Sequence, residues 1–252
     1  MDKVAQQNKL AWEYSAYDFW VSQVGEPAVR AREDRANPRA MLKNYAKFFE
    51  NVSGVKIANV CGSCGKKAVP LALLGAQVTV FDISDENRRY ACETAEAAGV
   101  PLTYVVGDVM DIDLAVYGGA FDIVFMEGGI LHYFPDLNHF MHLMNGILNA
   151  NGRMICSDFH PVHKFVDANG LGWDCTDYFS TEIAACEMAH ARFYEEEKRR
   201  LMPMCLIRRY TLGEIITSVA DSGFIIRRLE EYPGWVNPKL PGEFTLVADK
   251  TI

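Results

Sequence analysis

The stretch Ala58-Asn59-Val60-Cys61-Gly62-Ser63-Cys64-Gly65-Lys66 decides the fold of this chain. The apolar run that leads into it predicts a strand over residues 57–61, and the pattern behind it predicts a helix over residues 67–74. Glycines between a strand and a helix let the backbone come close to a ligand, and the first turn of the helix offers free N–H donors. The stretch therefore predicts a ligand-binding turn at the carboxyl end of a first strand.

Short apolar runs alternate with helical patterns through the middle of the chain. Strands are predicted at residues 57–61, 77–82, 102–106, 123–127 and 153–158, with helices at residues 67–74, 85–98 and 137–148 between them. Nearly continuous apolar strands separated by helices are typical of a parallel sheet covered on both faces.

The end of the chain follows a different pattern. A helix at residues 212–222 precedes strands at residues 224–231 and 244–250, and the Pro-rich loop between these strands suits an antiparallel hairpin. We therefore expect an α/β fold, with a Rossmann-like, mostly parallel sheet of about seven strands, helices on both faces and a C-terminal antiparallel hairpin.

Acidic side chains follow the successive strands. Asp82 ends the second predicted strand, twenty residues after Gly62, and this spacing suits a carboxylate that binds the two hydroxyls of a ribose. Asp108 follows the third strand, where a carboxylate can accept a hydrogen bond from an adenine amino group, and Glu127 ends the fourth strand. Because ligands of open α/β sheets bind beyond the carboxyl ends of the strands, we expect these groups in one site.

Four motifs of the chain resemble those of class I S-adenosylmethionine-dependent methyltransferases, in the small-molecule branch that includes ubiquinone-type and tellurite-type enzymes. They are the turn Val60-Cys61-Gly62-Ser63-Cys64-Gly65, the acidic Asp82, the triplet Gly107-Asp108-Val109 and the string Ile130-Leu131-His132-Tyr133-Phe134-Pro135-Asp136. The resemblance extends over residues 57–158 and includes the hairpin. It implies S-adenosylmethionine as cofactor, with S-adenosylhomocysteine as its product.

The resemblance also implies roles for individual residues. It implies that Gly62, Ser63 and Gly65 face the methionine part of the cofactor, that Asp82 binds the ribose and Asp108 the adenine, that Ile83 and Val109 pack on the adenine faces, and that Glu127 lies beside the methionine part. Gly107 and Gly128 complete the set of expected contacts. One position departs from the family pattern, since an acidic residue usually stands two places before the first glycine, where this chain has Val60, preceded by Asn59. The group that holds the cofactor's ammonium is therefore left open.

Two segments lie outside the strand alternation. Residues 1–50 are helical in pattern, with a helix predicted from Pro38 to residue 50, and residues 159–210 contain loop-like sequence and one predicted helix over about residues 181–201. We expect one methyltransferase domain over residues 1–252, made of an N-terminal helical lid (1–50), a cofactor-binding core (51–158), a substrate-cap insertion (159–210) and the final helix and hairpin (211–252).

The aromatic side chains of the N-terminal segment suggest what the lid does. A sulfonium cation is attracted to aromatic faces, so we expect Trp12 and Tyr17 to cover the cofactor. Packing of the same rings as a hydrophobic helix face explains their spacing equally well.

Three histidines are candidates for catalysis. Methyl transfer from a sulfonium is an in-line displacement that depends mainly on positioning in a dry pocket. A neutral amine needs no base, whereas a hydroxyl or a carbon acid must lose a proton, and histidine has a suitable pKa. His132, just past the fourth strand, is the first candidate, and His160 and His163 follow. A structural hydrogen-bonding role explains each of them as well.

Other interpretations of the turn explain less of the chain. A nicotinamide dehydrogenase needs Gly-x-Gly-x-x-Gly and leaves Asp108 without a role, and a phosphate loop needs a glycine where Val60 stands. Cys61 and Cys64 form a Cys-x-x-Cys at a strand-to-helix junction, as in thiol–disulfide oxidoreductases, but that activity leaves Asp82 unexplained. A regulatory protein that binds S-adenosylmethionine without turnover remains a further alternative. No second cysteine pair lies at ligand spacing, so we expect no metal site.

Composition bears on partners and compartment. The chain has 252 residues and a net charge of −8, which disfavours nucleic acid and membrane surfaces as partners. No stretch approaches the roughly 18 apolar residues of a membrane span, and no signal-peptide pattern is visible. Seven cysteines without a disulfide framework indicate a reducing, cytoplasmic compartment. We therefore predict a cytoplasmic enzyme that moves a methyl group to an O, N or C nucleophile of a small molecule, in an oligomeric state that is left open.

Overall fold

The computed structural model describes residues 1–165 and 177–251, with no account of the side chains of residues 164 and 165. In chain order, the strands of this part are β1 Lys56–Val60, β2 Gln77–Asp82, β3 Thr103–Val106, β4 Phe121–Glu127, β5 Leu148–Phe159, β6 Ile183–Cys186, β7 Cys205–Arg208, β8 Phe224–Pro233 and β9 Pro241–Lys250. Seven of them form one sheet in the order β3-β2-β1-β4-β5-β9-β8, in which β9 pairs antiparallel with both β5 and β8. This confirms the Rossmann-like sheet and the C-terminal hairpin.

The helices lie between and around these strands. In chain order, the α-helices of the described residues are α1 Lys3–Glu13, α2 Ala16–Val24, α3 Pro27–Ala36, α4 Pro38–Met41, α5 Ala68–Leu73, α6 Asp85–Ala98, α7 Leu114–Tyr117, α8 Leu137–Ile147, α9 Glu196–Leu201 and α10 Leu212–Asp221. Helix α6 has its predicted bounds, because the Ser84 hydroxyl accepts from the Asn87 N–H at its start and Gly99 takes a left-handed conformation (φ 73°) at its end. None of the helices in the described ranges combines the length and the apolar content that a membrane crossing requires.

The sheet has a hydrophobic core on each face. On β4, Val124 and Met126 belong to the core with the side chains of α8 and α10, whereas Phe125 belongs to the opposite core with Leu42 and Phe49. Successive side chains of a strand point to opposite faces, so a strand that is apolar throughout must be covered twice. Burial of each large apolar side chain contributes about 1.5–3 kcal/mol, which stabilises the strand ends at the site.

Two predicted helices are wrong. The helix expected from Pro38 to residue 50 stops at Met41, and a 3-10 helix covers Lys43–Phe48, because Lys43 takes a φ of 53° that a right-handed α-helix cannot contain. The helix expected over residues 181–201 is replaced by β6, a 3-10 turn at Ala191–Phe193 and the short α9. Pairing of β6 with β7 satisfies the backbone of that segment, so tertiary contacts override its local helical preference.

Helix α1 packs against the small sheet formed by β6 and β7. The buried amide of Asn8 donates from Nδ2 to the Leu206 carbonyl (3.0 Å), and its Oδ1 accepts from the Leu206 N–H (2.7 Å). Two segments that are about two hundred residues apart in sequence are thereby held side by side. Their contact places aromatic side chains of both segments over the carboxyl edge of the large sheet.

Candidate active site

The turn between β1 and α5 has left-handed backbone at three alternating positions. The φ angles are 52° at Cys61, 48° at Ser63 and 76° at Gly65. Such a conformation costs about 1–2 kcal/mol at a residue other than glycine, so the surroundings must hold it in place. The Cys61 N–H donates to the Phe81 carbonyl (2.7 Å), and the Ser63 N–H donates to Asp82 Oδ2 (2.9 Å). Strand β2 therefore holds the turn in its strained shape.

Asp82 is the polar centre of this turn. Besides the Ser63 N–H, its carboxylate accepts from the Ser84 N–H (3.0 Å) and from Asn87 Nδ2 (3.2 Å), both at Oδ1. The side chain is only 6% exposed, and burial raises the pKa of its carboxyl, while these hydrogen bonds act in the opposite direction. Asp82 thus braces the turn and also lines the adjoining cavity.

The two glycines of the turn lie where neighbouring atoms leave no room for a side chain. A Cβ on Gly62 would lie 2.6 Å from Asn59 Oδ1 and 2.8 Å from Val80 Cγ1, and a Cβ on Gly65 would lie 2.9 Å from Ala91 Cβ of α6. Gly62 therefore lets the chain pass over Asn59, and Gly65 lets α6 approach the turn.

A cavity of about 490 Å³ opens at the carboxyl ends of β1, β2, β3 and β4. This volume lies within the range of small-molecule sites. Of the residues predicted to contact the cofactor, the cavity brings together Trp12, Gly62, Ser63, Asp82, Ile83, Asp108, Val109, Glu127 and Gly128. The described lining does not include Tyr17, Gly65 or Gly107. The Tyr17 hydroxyl donates to Glu93 instead, and this hydrogen bond raises the pKa of Tyr17 to about 12.

Sequence reasoning placed the departure from the family pattern at Val60, but the structure places the Asn59 side chain in the cavity wall. Val60 is buried in the apolar core. Asn59 is 1% exposed, its Nδ2 donates to the Phe125 carbonyl (3.3 Å), and its Oδ1 has no hydrogen-bond partner within the described ranges. The Ser63 hydroxyl oxygen is also buried and has no hydrogen-bond partner among the described residues. Unpaired buried oxygens are costly, so these two fit the hydrogen-bond donors of a ligand, such as an ammonium group.

Aromatic rings form the opposite wall of this cavity, called the roof below, and its members are Trp12, Phe19, Trp20, His190 and Phe193. The His190 ring stacks on Phe19, with 4.2 Å between ring centroids, and meets the edge of Trp12 at 5.7 Å. Trp20 Nε1 donates to Asn87 Oδ1 (2.7 Å), and Asn87 donates in turn to Asp82. A chain of hydrogen bonds therefore joins the roof to the turn.

His190 is a site residue that sequence reasoning missed. It is 4% exposed, its Nε2 has no hydrogen-bond partner in the described part of the chain, and burial lowers its pKa to about 4. The imidazole is therefore neutral at pH 7 and keeps one nitrogen available for a ligand. No motif marks this residue, because its position depends on the turn that follows β6.

The three histidines predicted for catalysis are in different surroundings. His132 and His160 line a second cavity of about 120 Å³, and His163 is not among the described residues that line either cavity. His160 Nδ1 accepts from the Val162 N–H (3.3 Å), and its Nε2 lies 2.9 Å from Glu231 Oε1. The His132 ring lies tilted against the Tyr133 ring, with 4.2 Å between the ring centroids.

The second cavity adjoins the first. Trp12, Gly128, Gly129, Tyr133 and Ala189 line both of them. A ligand in the smaller cavity would therefore meet a ligand in the larger one near the end of β4.

The surroundings of the two cysteines in the turn disfavour the thiolate form. Cys61 and Cys64 are free thiols. Burial raises the pKa of Cys61 well above its usual value, and it raises the pKa of Cys64 to about 12. A thiolate is the reactive form, so this environment gives no support to a thiol–disulfide oxidoreductase. Within the described residues, no group of three or more His, Cys, Asp and Glu side chains could hold a metal ion.

Comparison with known proteins gives consistent results. Residues 60–156 match the family model of the methyltransferase domain. A ubiquinone biosynthesis O-methyltransferase of Rhizobium etli (strain CIAT 652) is 29% identical over 129 residues, which are 48% of this chain and 50% of that protein. The match thus spans about half the length of this curated relative.

Solved structures share the fold. An S-adenosylmethionine-dependent methyltransferase from Mesorhizobium loti superposes with a TM-score of 0.60 at 19% identity, over 86% of this chain and 97% of that one. Magnesium protoporphyrin IX methyltransferase from Synechocystis PCC 6803, with bound S-adenosylhomocysteine, superposes with a TM-score of 0.62 at 16% identity, over 99% and 100% of the two chains.

Fold, site and sequence match together define the class of the protein. Residues 60–156 match a methyltransferase domain, and the chain shares the fold of S-adenosylmethionine-dependent methyltransferase structures. Both sequence matches agree with the expected resemblance to methyltransferases.

Proposed function

We propose that the protein transfers a methyl group from S-adenosylmethionine to an O, N or C nucleophile of a small molecule. The observation that carries the proposal is the series of carboxylates, Asp82, Asp108 and Glu127, at the ends of neighbouring strands around one cavity. The O-methyltransferase named for ubiquinone biosynthesis supports a small-molecule acceptor. The bound cofactor supplies an electrophilic methyl group.

The larger cavity is proposed to bind the cofactor. Asp82 would accept from the ribose hydroxyls, and Asp108, whose Oδ1 also accepts from the Met110 N–H (3.0 Å), would accept from the adenine amino group. Ile83 and Val109 would pack on the adenine faces. Asn59 Oδ1 would accept from the ammonium group in place of the usual acid.

The smaller cavity is proposed to bind the methyl acceptor. It opens to the larger cavity at Gly128 and Gly129, which have φ angles of 92° and 82° and no side chain to separate the two ligands. The aromatic rings of the roof would exclude water, which favours displacement at a sulfonium. His132 would take the proton from a hydroxyl nucleophile in this cavity. His190, which lines the larger cavity, would hydrogen-bond the ligand there through Nε2, a nitrogen with no partner among the described residues.

Two finer statements belong to this proposal. We treat residues 1–252 as one domain, with residues 1–50 and 159–210 covering the core. A cytoplasmic location is supported by the described cysteines, which are free thiols as in a reducing compartment.

Turnover separates this function from that of a regulatory binding protein. The purified protein is incubated with S-adenosylmethionine and a panel of phenols, amines and carbon acids, and released S-adenosylhomocysteine is measured by mass spectrometry. Release that depends on one class of acceptor supports the enzyme. Cofactor binding by calorimetry without release for any class would favour the regulatory alternative.

A further inference from the structure

The smaller cavity contains an arginine, Arg209, that forms no ion pair with any of the described side chains. Along β7, Cys205 and Ile207 face inward and are buried, while Arg208 faces outward, where its Nη2 donates to Glu214 Oε1 (2.8 Å). Arg209 continues this alternation beyond the strand and lines the cavity with Cys205 and Ile207. Its guanidinium is a planar, delocalised cation.

The acidic side chains of the cavity wall already have partners. Asp158 accepts from the N–H groups of Ile130 and Leu131 at Oδ2 (2.9 and 2.8 Å) and from its neighbour Phe159 at Oδ1 (2.6 Å). Glu187 accepts from both Nε and Nη2 of Arg199. Over residues 1–165 and 177–251, neither an ion pair nor a side-chain hydrogen bond engages Arg209. Within the described residues, Arg209 therefore has no ion-pair partner of its own, and the carboxylate of Asp158 in the same cavity is occupied by backbone N–H groups.

The remaining wall is suited to a ring. Trp12, Tyr133, Phe159 and Tyr178 contribute aromatic side chains around the cavity, which has a volume of about 120 Å³. A planar guanidinium matches the two oxygens of a carboxylate, and aromatic walls favour a flat apolar body. The cavity meets the larger one at Gly128, so the far end of such a molecule would lie at the cofactor.

We propose that Arg209 binds the carboxylate of the methyl acceptor and that the acceptor is a small aromatic acid. The carboxylate end lies at Arg209, and the nucleophile at the other end of the ring lies toward Gly128. That this ligand accepts the methyl group rests on the proposed function. Binding of a carboxylate at Arg209 does not depend on turnover.

The test measures binding of two matched probes to the protein saturated with S-adenosylhomocysteine. 4-Hydroxybenzoate carries the carboxylate, and 4-hydroxybenzamide has the same shape without the charge. We expect calorimetry to show the benzoate binding roughly tenfold tighter or more, since a hydrogen bond to a charged group is stronger than a neutral one. Arg209→Gln should reduce benzoate affinity to that of the amide and leave the amide unchanged.

Arg208→Gln is the matched control, because it removes a neighbouring charge on the outer face and should keep the preference for the benzoate. Arg209→Lys, which retains the charge but loses the planar fork, should give an intermediate preference and replaces the glutamine variant if that one does not fold. Equal affinity for the two probes, binding of neither, or an unchanged preference in Arg209→Gln would each overturn the inference. Failure of the wild-type protein to bind S-adenosylhomocysteine would instead overturn the proposed function.

Discussion

The floor and the roof of the larger cavity are built in opposite ways. The floor, residues 59–65 with Asp82, is local in sequence and is held by hydrogen bonds from backbone N–H groups to a buried carboxylate and a neighbouring strand. The roof joins rings from residues 12–20 to rings from residues 190–193, and stacking contacts hold it. Polar groups on the floor can recognise a ligand, while the roof mainly encloses it. Substitutions on the two sides should therefore have different effects.

The largest effect is expected on the floor. Asp82→Asn removes the negative charge and one acceptor from a carboxylate that accepts three hydrogen bonds. We expect S-adenosylhomocysteine affinity to fall roughly 100-fold, by about 3 kcal/mol, in calorimetry. Asp221→Asn, on an exposed residue at the end of α10, should match the wild type. An Asp82→Asn affinity within about threefold of wild type would contradict the recognition role of the floor.

The second prediction concerns His190 of the roof and its effect on the pH dependence of the free energy of unfolding. The folded pKa of His190 is about 4, below its ordinary value of 6.5, so the unfolded chain binds more protons between these values. The contribution of His190 to stability is therefore fully present above pH 6.5 and declines as the pH falls toward 4. His190→Phe keeps the stacking and cannot be protonated, so it should lose about 2–3 kcal/mol less stability than wild type between pH 7.5 and 4.5.

Urea unfolding at both pH values measures this difference. His139→Gln serves as the control, because that side chain is exposed on α8 and should leave the pH dependence unchanged. An equal loss in His190→Phe and wild type would mean that the His190 ring is protonated without cost in the folded protein.

A smaller effect is expected for Asn59 on the floor, and it should depend on whether the ligand carries an ammonium group. Asn59→Leu removes Oδ1 and should weaken S-adenosylhomocysteine binding by roughly tenfold, since one hydrogen bond to a charged group is lost. 5′-Methylthioadenosine has the adenine and the ribose but no ammonium, and its affinity should be unchanged. A similar loss for both ligands would show that the substitution distorts the turn instead.

The smallest effect concerns the link between floor and roof. Trp20→Phe keeps an aromatic ring but removes the Nε1 donor to Asn87, which should weaken S-adenosylhomocysteine binding by roughly fivefold. Combination with Asn87→Ala in a double-mutant cycle should give less than the sum of the two effects. Trp235→Phe, with a ring that is 64% exposed, is the control. Strict additivity would mean that roof and floor act independently.

Sequence reasoning succeeded where the physical cause is local. The strand before Cys61 and the helix at Asp85–Ala98 follow from apolar periodicity, an N-cap and a terminal glycine, all of which lie within a few residues. Asp82 and Asp108 could be predicted at the site because parallel strands bring their carboxyl ends to the same edge. The sequence left open which residue takes the place of the usual acid, since only the pleat of β1 shows that Asn59 lines the cavity and Val60 lies in the core.

The roof could not be predicted in this way. Tyr17 was expected to cover the cofactor, but it bonds to Glu93 on α6, and His190 follows β6 in a segment that was predicted to be helical. Segment 181–201 has helical preference when considered alone, and pairing with β7 outweighs it. The sequence likewise does not show that Arg209 lines the smaller cavity, because that position follows from the direction of β7.

By itself the sequence determined the sheet, its hairpin and the carboxylates that line the larger cavity, because strand period, turn chemistry and helix caps act over short distances along the chain. Only the tertiary structure decided which aromatic rings enclose the larger cavity, that His190 Nε2 has no hydrogen-bond partner among the described residues, and that Arg209 forms no ion pair with them. Those properties depend on contacts between segments that are far apart in sequence, such as Asn8 with Leu206, and no local pattern records such a contact.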